Sequence, residues 1–249
     1  MKEHLHTIPV NEAFDSSDEC PFCYLRRQSE QRCVRYVAGP SASYMEPEVR
    51  AVTDETGFCP DHLKKLYDYG NTLGNALMLQ TYYARILKHL RSEIETFQRP
   101  EPKKLFSKPK ETPIPLADFL QQEADKCYIC DQLAGSMDRY YRTFFALTKE
   151  PEFRAKVEKS KGFCLTHFGA LLRYAQTHLP NSQRDWFYEE VFPLMEDNLV
   201  RVKEDLDWLI GKYDYRNASA PWGNSRDALQ RTMQKLGSLY AADKPYKDE

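Results

Sequence analysis

Two copies of one sparse pattern constrain this chain more than anything else in it. Cys20-Pro21-Phe22-Cys23 is followed by Gly57-Phe58-Cys59-Pro60-Asp61-His62, and Cys127-Tyr128-Ile129-Cys130 by Gly162-Phe163-Cys164-Leu165-Thr166-His167. A Cys-x-x-Cys pair alone is shared by redox motifs and metal knuckles. Adding a third thiol and an imidazole completes a tetrahedral Cys3His set, a standard structural zinc arrangement. Taken in chain order, the pattern predicts one site from Cys20, Cys23, Cys59 and His62, and a second from Cys127, Cys130, Cys164 and His167.

The ligands recur inside a longer repeat. Ile8-Pro9-Val10 is matched by Ile114-Pro115-Leu116, and Glu46-Pro47-Glu48-Val49-Arg50-Ala51 by Glu150-Pro151-Glu152-Phe153-Arg154-Ala155. Four matched blocks in one order read as a duplication. Cys33, the seventh cysteine, has Tyr140 as its counterpart and so falls outside the repeated set.

Between the ligands the apolar residues recur at helical spacing. Leu63, Leu66, Leu73, Leu77, Tyr83, Ile86, Leu87, Leu90, Ile94 and Phe97 predict a helix of some thirty residues, eased or kinked at Gly70 or Gly74. Trp186, Phe187, Val191, Leu194, Leu199, Val202, Leu206, Leu209 and Ile210 form the matching stripe, bent at Pro193. A last helix follows over roughly 225–241. No run alternates long enough for a strand, so the expected class is all-α: two duplicated helical units with long helices, each around a Cys3His site, and a C-terminal helix. The expected segments are a first repeat over 1–98, a Pro/Lys-rich linker over 99–113, a second repeat over 114–215, and a C-terminal helix and tail over 216–249. Pro21 and Pro60 each follow a ligand cysteine, and proline favours the first helical position. Cys20 and Cys59 should therefore stand at helix starts, with Cys23 and His62 one turn inside. Tyr128 and Leu165 replace those prolines in the second half, so its helix starts rest on weaker signals.

Composition removes several classes of function. The formal charge is -2 with 29% charged residues, unlike the basic footprint of a nucleic-acid-binding domain. No apolar run approaches the ~20 residues of a membrane span, and Met1 to Val10 lacks the apolar stretch of a signal peptide. The expected setting is cytoplasmic, where seven cysteines are metal ligands or reactive thiols more often than disulfide partners.

Other chemistry-bearing residues carry weaker signals. Glu3 and His6 form a single Glu-x-x-His in the terminal tail; His89 and His178 sit on predicted helices without partner ligands and read as surface or packing residues. Gly70 and Gly74 read as close helix packing, since no strand precedes them as a phosphate loop would need. No catalytic constellation emerges.

Through Thr7-Ile8-Pro9-Val10, Glu19-Cys20-Pro21-Phe22-Cys23, Ala38-Gly39-Pro40-Ser41 and Gly57-Phe58-Cys59-Pro60-Asp61-His62, the chain resembles a family of uncharacterised bacterial proteins, mostly from Gram-positive anaerobes. The resemblance implies a fold and sites but no activity. The leading expectation is a non-enzymatic helical scaffold holding two zinc ions and binding a protein partner, with neither general nucleic-acid binding nor membrane association. Alternatives are a thiol-redox or metal-responsive protein using its Cys-x-x-Cys pairs, an iron–sulfur protein, and a small-ligand binder.

Overall fold

The computed structural model describes residues 7–41, 43–99 and 114–238. Among them the chain is all-α. The first series of helices is α1 (Thr7–Asp15), α2 (Pro21–Ala38), α3 (Pro47–Thr56), α4 (Pro60–Tyr69) and α5 (Thr72–Glu95). A second series follows in the same order: α6 (Pro115–Asp125), α7 (Tyr128–Leu147), α8 (Pro151–Lys159), α9 (Leu165–His178) and α10 (Asn181–Gly211). A 3-10 turn at Ser225–Asp227 then leads into α11 (Ala228–Gly237). Residues 100–113 of the expected linker, the Glu3–His6 pair and the residues after 238 lie outside the described residues.

Local chemistry sets the helix ends. Proline opens α3, α4, α6 and α8, where its missing N–H costs nothing. The thirty-residue helix expected after His62 is instead two helices. Gly70 adopts a left-handed φ of 94° and ends α4, and Asn71 then accepts from the Gly74 amide at 2.9 Å to start α5. Glycine reaches that φ without the steric cost a Cβ brings, which turns the expected kink into a full break. Gly74 is buried in α5, where a Cβ would fall 2.8 Å from the Tyr44 ring. Pro193 lies inside α10, which continues through it from Asn181 to Gly211.

The chain divides into two compact units that interleave along the sequence. One comprises the chain up to Ser29 and from Ala134 onward, the other Glu30–Leu133. The boundaries fall within α2 and α7, so α2 begins in the first unit and ends in the second, and α7 does the reverse.

Each unit has its own core. In the first, Phe14, Phe22, Phe144, Phe153 and Phe163 pack as a cluster of rings, with centroids between 5.0 and 6.4 Å in the pairs Phe14–Phe153 and Phe14–Phe22. In the second, Val34, Val37, Phe58, Leu66, Met78, Ile129 and Leu133 form the core. Phe22 and Ile129 are the residues just before Cys23 and Cys130, and Phe58 and Phe163 those just before Cys59 and Cys164. Each of these four side chains is buried in its unit's core, anchoring the adjacent thiol.

Candidate metal centres

All eight residues expected as ligands assemble into two groups of four, but not in the expected pairing. Cys20 and Cys23 meet Cys164 and His167 in the first unit, while Cys127 and Cys130 meet Cys59 and His62 in the second. Each Cys-x-x-Cys is thus completed by the Cys-x-x-His of the other half. The long helices give the physical reason. From Cys23 to the end of α2 the chain rises about 22 Å, and α2 begins in the first unit and ends in the second. Each knuckle is therefore carried away from the Cys-x-x-His that follows it in sequence.

Helix starts position every ligand. Cys59 and Cys164 are the N-cap residues of α4 and α9, with His62 and His167 one turn inside. The Cys164 sulfur accepts from the His167 amide at 3.4 Å, and the Cys127 sulfur from the Cys130 amide at 3.5 Å. Cys20 directly precedes α2, with the Cys23 amide donating to the Cys20 carbonyl at 2.9 Å. The second half thus forms the same helix starts without the prolines.

The distances within each group fit a single bound ion. In the first, His167 Nδ1 lies 3.5 Å from the sulfurs of both Cys20 and Cys23 and 3.0 Å from Cys164. In the second, His62 Nδ1 lies 3.2 Å from Cys59, 3.3 Å from Cys127 and 3.4 Å from Cys130, and the Cys59 and Cys130 sulfurs are 3.8 Å apart. Every ligand atom is within 4.8 Å of the others in its group. Tetrahedral zinc with ordinary bond lengths sets S···N edges of about 3.5 Å and S···S edges of about 3.8 Å. Hydrogen bonding cannot account for this convergence, because Nδ1 offers one proton or one lone pair and faces three sulfurs at once.

Neighbouring groups within each centre shift one another's hold on protons. In the second centre burial opposes charging His62, but Cys127 and Glu30 outweigh it and raise its pKa to about 10. Burial likewise opposes the Cys127 thiolate, yet contacts with His62, Cys59 and Cys130 lower it to about 6, while burial and Cys127 push Cys130 up to about 12. In the first centre burial and the neighbouring Cys164 raise Cys20 to about 12 and contacts with Cys164 and Cys20 raise Cys23, whereas contacts from Cys20 and Cys23 hold Cys164 well below the usual thiol range. In each centre negative charge is thus favoured on one sulfur, Cys127 or Cys164, and a bound cation would offset it.

Several supporting residues escaped the sequence pattern. The far nitrogen of His62, Nε2, lies 3.0 Å from the buried carboxylate of Glu30, which also holds Lys65 Nζ at 2.6 Å. Such a carboxylate fixes the ring so that Nδ1 faces the three sulfurs. Beside the first centre, buried Lys235 of α11 donates to the Glu19 carbonyl at 2.8 Å, and Ser238 places its hydroxyl 3.0 Å from the Cys164 sulfur. Lys235 places an amine beside the centre, where it would offset the excess charge of three thiolates over a divalent ion. Nothing in the repeat signals Glu30, whose counterpart is Met137, and α11 lies outside the repeat altogether.

Cys33 joins neither group; it is half-buried against the second core, where burial raises its thiol pKa. His89 lies tilted against Phe119 with centroids 4.0 Å apart and His178 stacks on Tyr174 at 4.3 Å, both packing roles. Among the described residues no helix is long and apolar enough to cross a membrane.

No solved structure matches the chain. A similar protein is the "Uncharacterized 23.9 kDa protein in xynA 3'region" of Caldicellulosiruptor sp. (strain Rt8B.4), 21% identical over 201 residues that cover 80% of this chain and 85% of that protein. A family model matches residues 1–243, and the chain belongs to that family, the family of unknown function DUF6062.

Proposed function

We propose that the chain is a non-enzymatic, zinc-stabilised helical scaffold of the cytoplasm, with one structural zinc ion in each compact unit and a protein as its binding partner. The observation that carries the zinc reading is the approach of three sulfurs to within 3.5 Å of one imidazole nitrogen, repeated in both groups. Four protein donors complete a tetrahedron, the arrangement of structural rather than catalytic zinc. A one-ion cage also favours zinc over an iron–sulfur cluster, which distributes its ligands over separate irons and needs a wider cage. The cytoplasmic setting is supported by seven cysteines that form no disulfide.

Elemental analysis of protein purified without air or chelator tests the reading. Close to two zinc ions per chain are expected, and metal-free or iron-loaded protein overturns it. Chelation should also melt the helices, because a structural site couples metal binding to folding.

A further inference from the structure

The two centres have the same donors but not the same access to solvent. In the first, Cys20, Cys23, Cys164 and His167 are all buried, none more than 3% exposed. In the second, Cys130 is exposed and Cys59 half-buried. The difference traces to residues outside the repeat. The end of α11 lies against the first centre, with Ser238 in contact with Cys164 and its carbonyl 3.8 Å from the Cys23 sulfur. Among the described residues the second centre has no such cover over Cys130.

Oxidation of a zinc-bound thiolate requires that the oxidant reach the sulfur, and susceptibility follows thiolate character and exposure. Zinc holds all three sulfurs of a centre as thiolates, so exposure is the discriminating property. The exposed sulfur also has a second thiolate in place to react with it. Cys59 and Cys130 are 3.8 Å apart, and a disulfide needs them to close to about 2.05 Å. Both stand at helix starts, Cys59 as the N-cap of α4 and Cys130 in the first turn of α7, where the helix end favours the thiolate.

We propose that Cys130, with Cys59 as its resolving partner, is an oxidative modification site through which hydrogen peroxide empties the second zinc centre and leaves the first loaded. This rests on the zinc reading above. The Cys130 thiolate attacks the peroxide O–O bond, forming an S–O bond and expelling hydroxide. The Cys59 thiolate then attacks the oxidised sulfur, forming the S–S bond and expelling a second hydroxide. Two electrons pass from the two thiolates to peroxide, and the zinc, left with Cys127 and His62, dissociates.

The test uses full-length zinc-loaded protein carrying Cys33→Ser, to remove the one thiol outside the centres. It is titrated with hydrogen peroxide while released zinc is followed with a chromogenic chelator and modified cysteines are mapped by mass spectrometry. One zinc of the two should be released, together with a Cys59–Cys130 disulfide, and these two cysteines should react about tenfold or more faster than Cys20, Cys23 and Cys164. Cys130→His keeps four donors and should hold its zinc against peroxide; if that variant does not load a second ion, the mapping on the Cys130-containing protein decides alone. Equal release from both centres, faster loss from the first, or no release with zinc present overturns this inference and leaves the two-zinc scaffold standing. Protein that carries no metal overturns both.

Discussion

The backbone amide of Tyr128 donates to the carbonyl of Gly57 at 3.0 Å, joining the knuckle of the second half to the Gly-Phe-Cys of the first. Phe58 meets the Tyr128 ring edge-on at 6.5 Å, so the crossing is held by main chain, by aromatic packing and by shared ligands. In the first unit Phe22 and Phe163, 5.7 Å apart, join Cys-x-x-Cys to Gly-Phe-Cys in the same crossed sense.

Glu30 should matter to one centre only. Its carboxylate orients His62 and has no counterpart on the repeat axis, since Met137 stands there. Glu30→Gln should weaken zinc binding at the second centre by about 10- to 100-fold and leave the first unchanged. Competition titration with a chelator of known affinity would separate the two ions, and equal weakening of both would refute the assignment.

Zinc affinity at the second centre should rise steeply with pH. At pH 7 the metal-free centre holds a proton on His62, raised to about 10, and on Cys130, raised to about 12, while Cys127, lowered to about 6, is largely ionised. Binding must expel at least those two protons, so affinity should fall at least on the order of 100-fold for each pH unit lost, and more steeply once Cys127 protonates below about 6. Calorimetry in buffers of different ionisation enthalpy counts the protons. Binding that releases none would contradict the site chemistry.

The first unit should depend heavily on its ring cluster. Phe144 is fully buried and lies 5.6 Å from both Phe14 and Phe22 and 6.0 Å from Phe163. Phe144→Ala should cost about 3–5 kcal/mol from lost transfer energy and the cavity left behind. Because Phe22 and Phe163 flank ligand cysteines, loss of the first zinc should accompany that destabilisation in a denaturation series. An unchanged midpoint would show that the cluster is not the core of the unit.

The class of fold and the eight residues that gather into the two groups were legible in the sequence because both follow from local rules. Periodicity at three and four residues gives helices, and residue type with spacing gives Cys3His. The pairing was not legible. Two chemically identical knuckles and two identical Cys-x-x-His turns are interchangeable by type, and only the packed structure, in which α2 and α7 each run from one unit into the other, shows which meet. The Gly70 break was visible as a weak point but not as a full stop, since that depended on Asn71 capping α5 through Gly74. Glu30 and Lys235 were invisible because charged residues on helices are ordinarily solvated, and only the packed structure shows that these two are buried. Cys33, outside the repeat by its Tyr140 counterpart, lies outside both centres as expected.

The crossed pairing is tested most directly by the zinc content of two double variants measured side by side. Cys20 and Cys164 belong to one centre, whereas Cys20 and Cys59 belong to different ones. Cys20→Ser with Cys164→Ser should therefore retain one zinc per chain, and Cys20→Ser with Cys59→Ser should retain none. The opposite result, one zinc kept in the Cys20/Cys59 variant and none in the Cys20/Cys164 variant, would contradict the crossing and restore a site within each half.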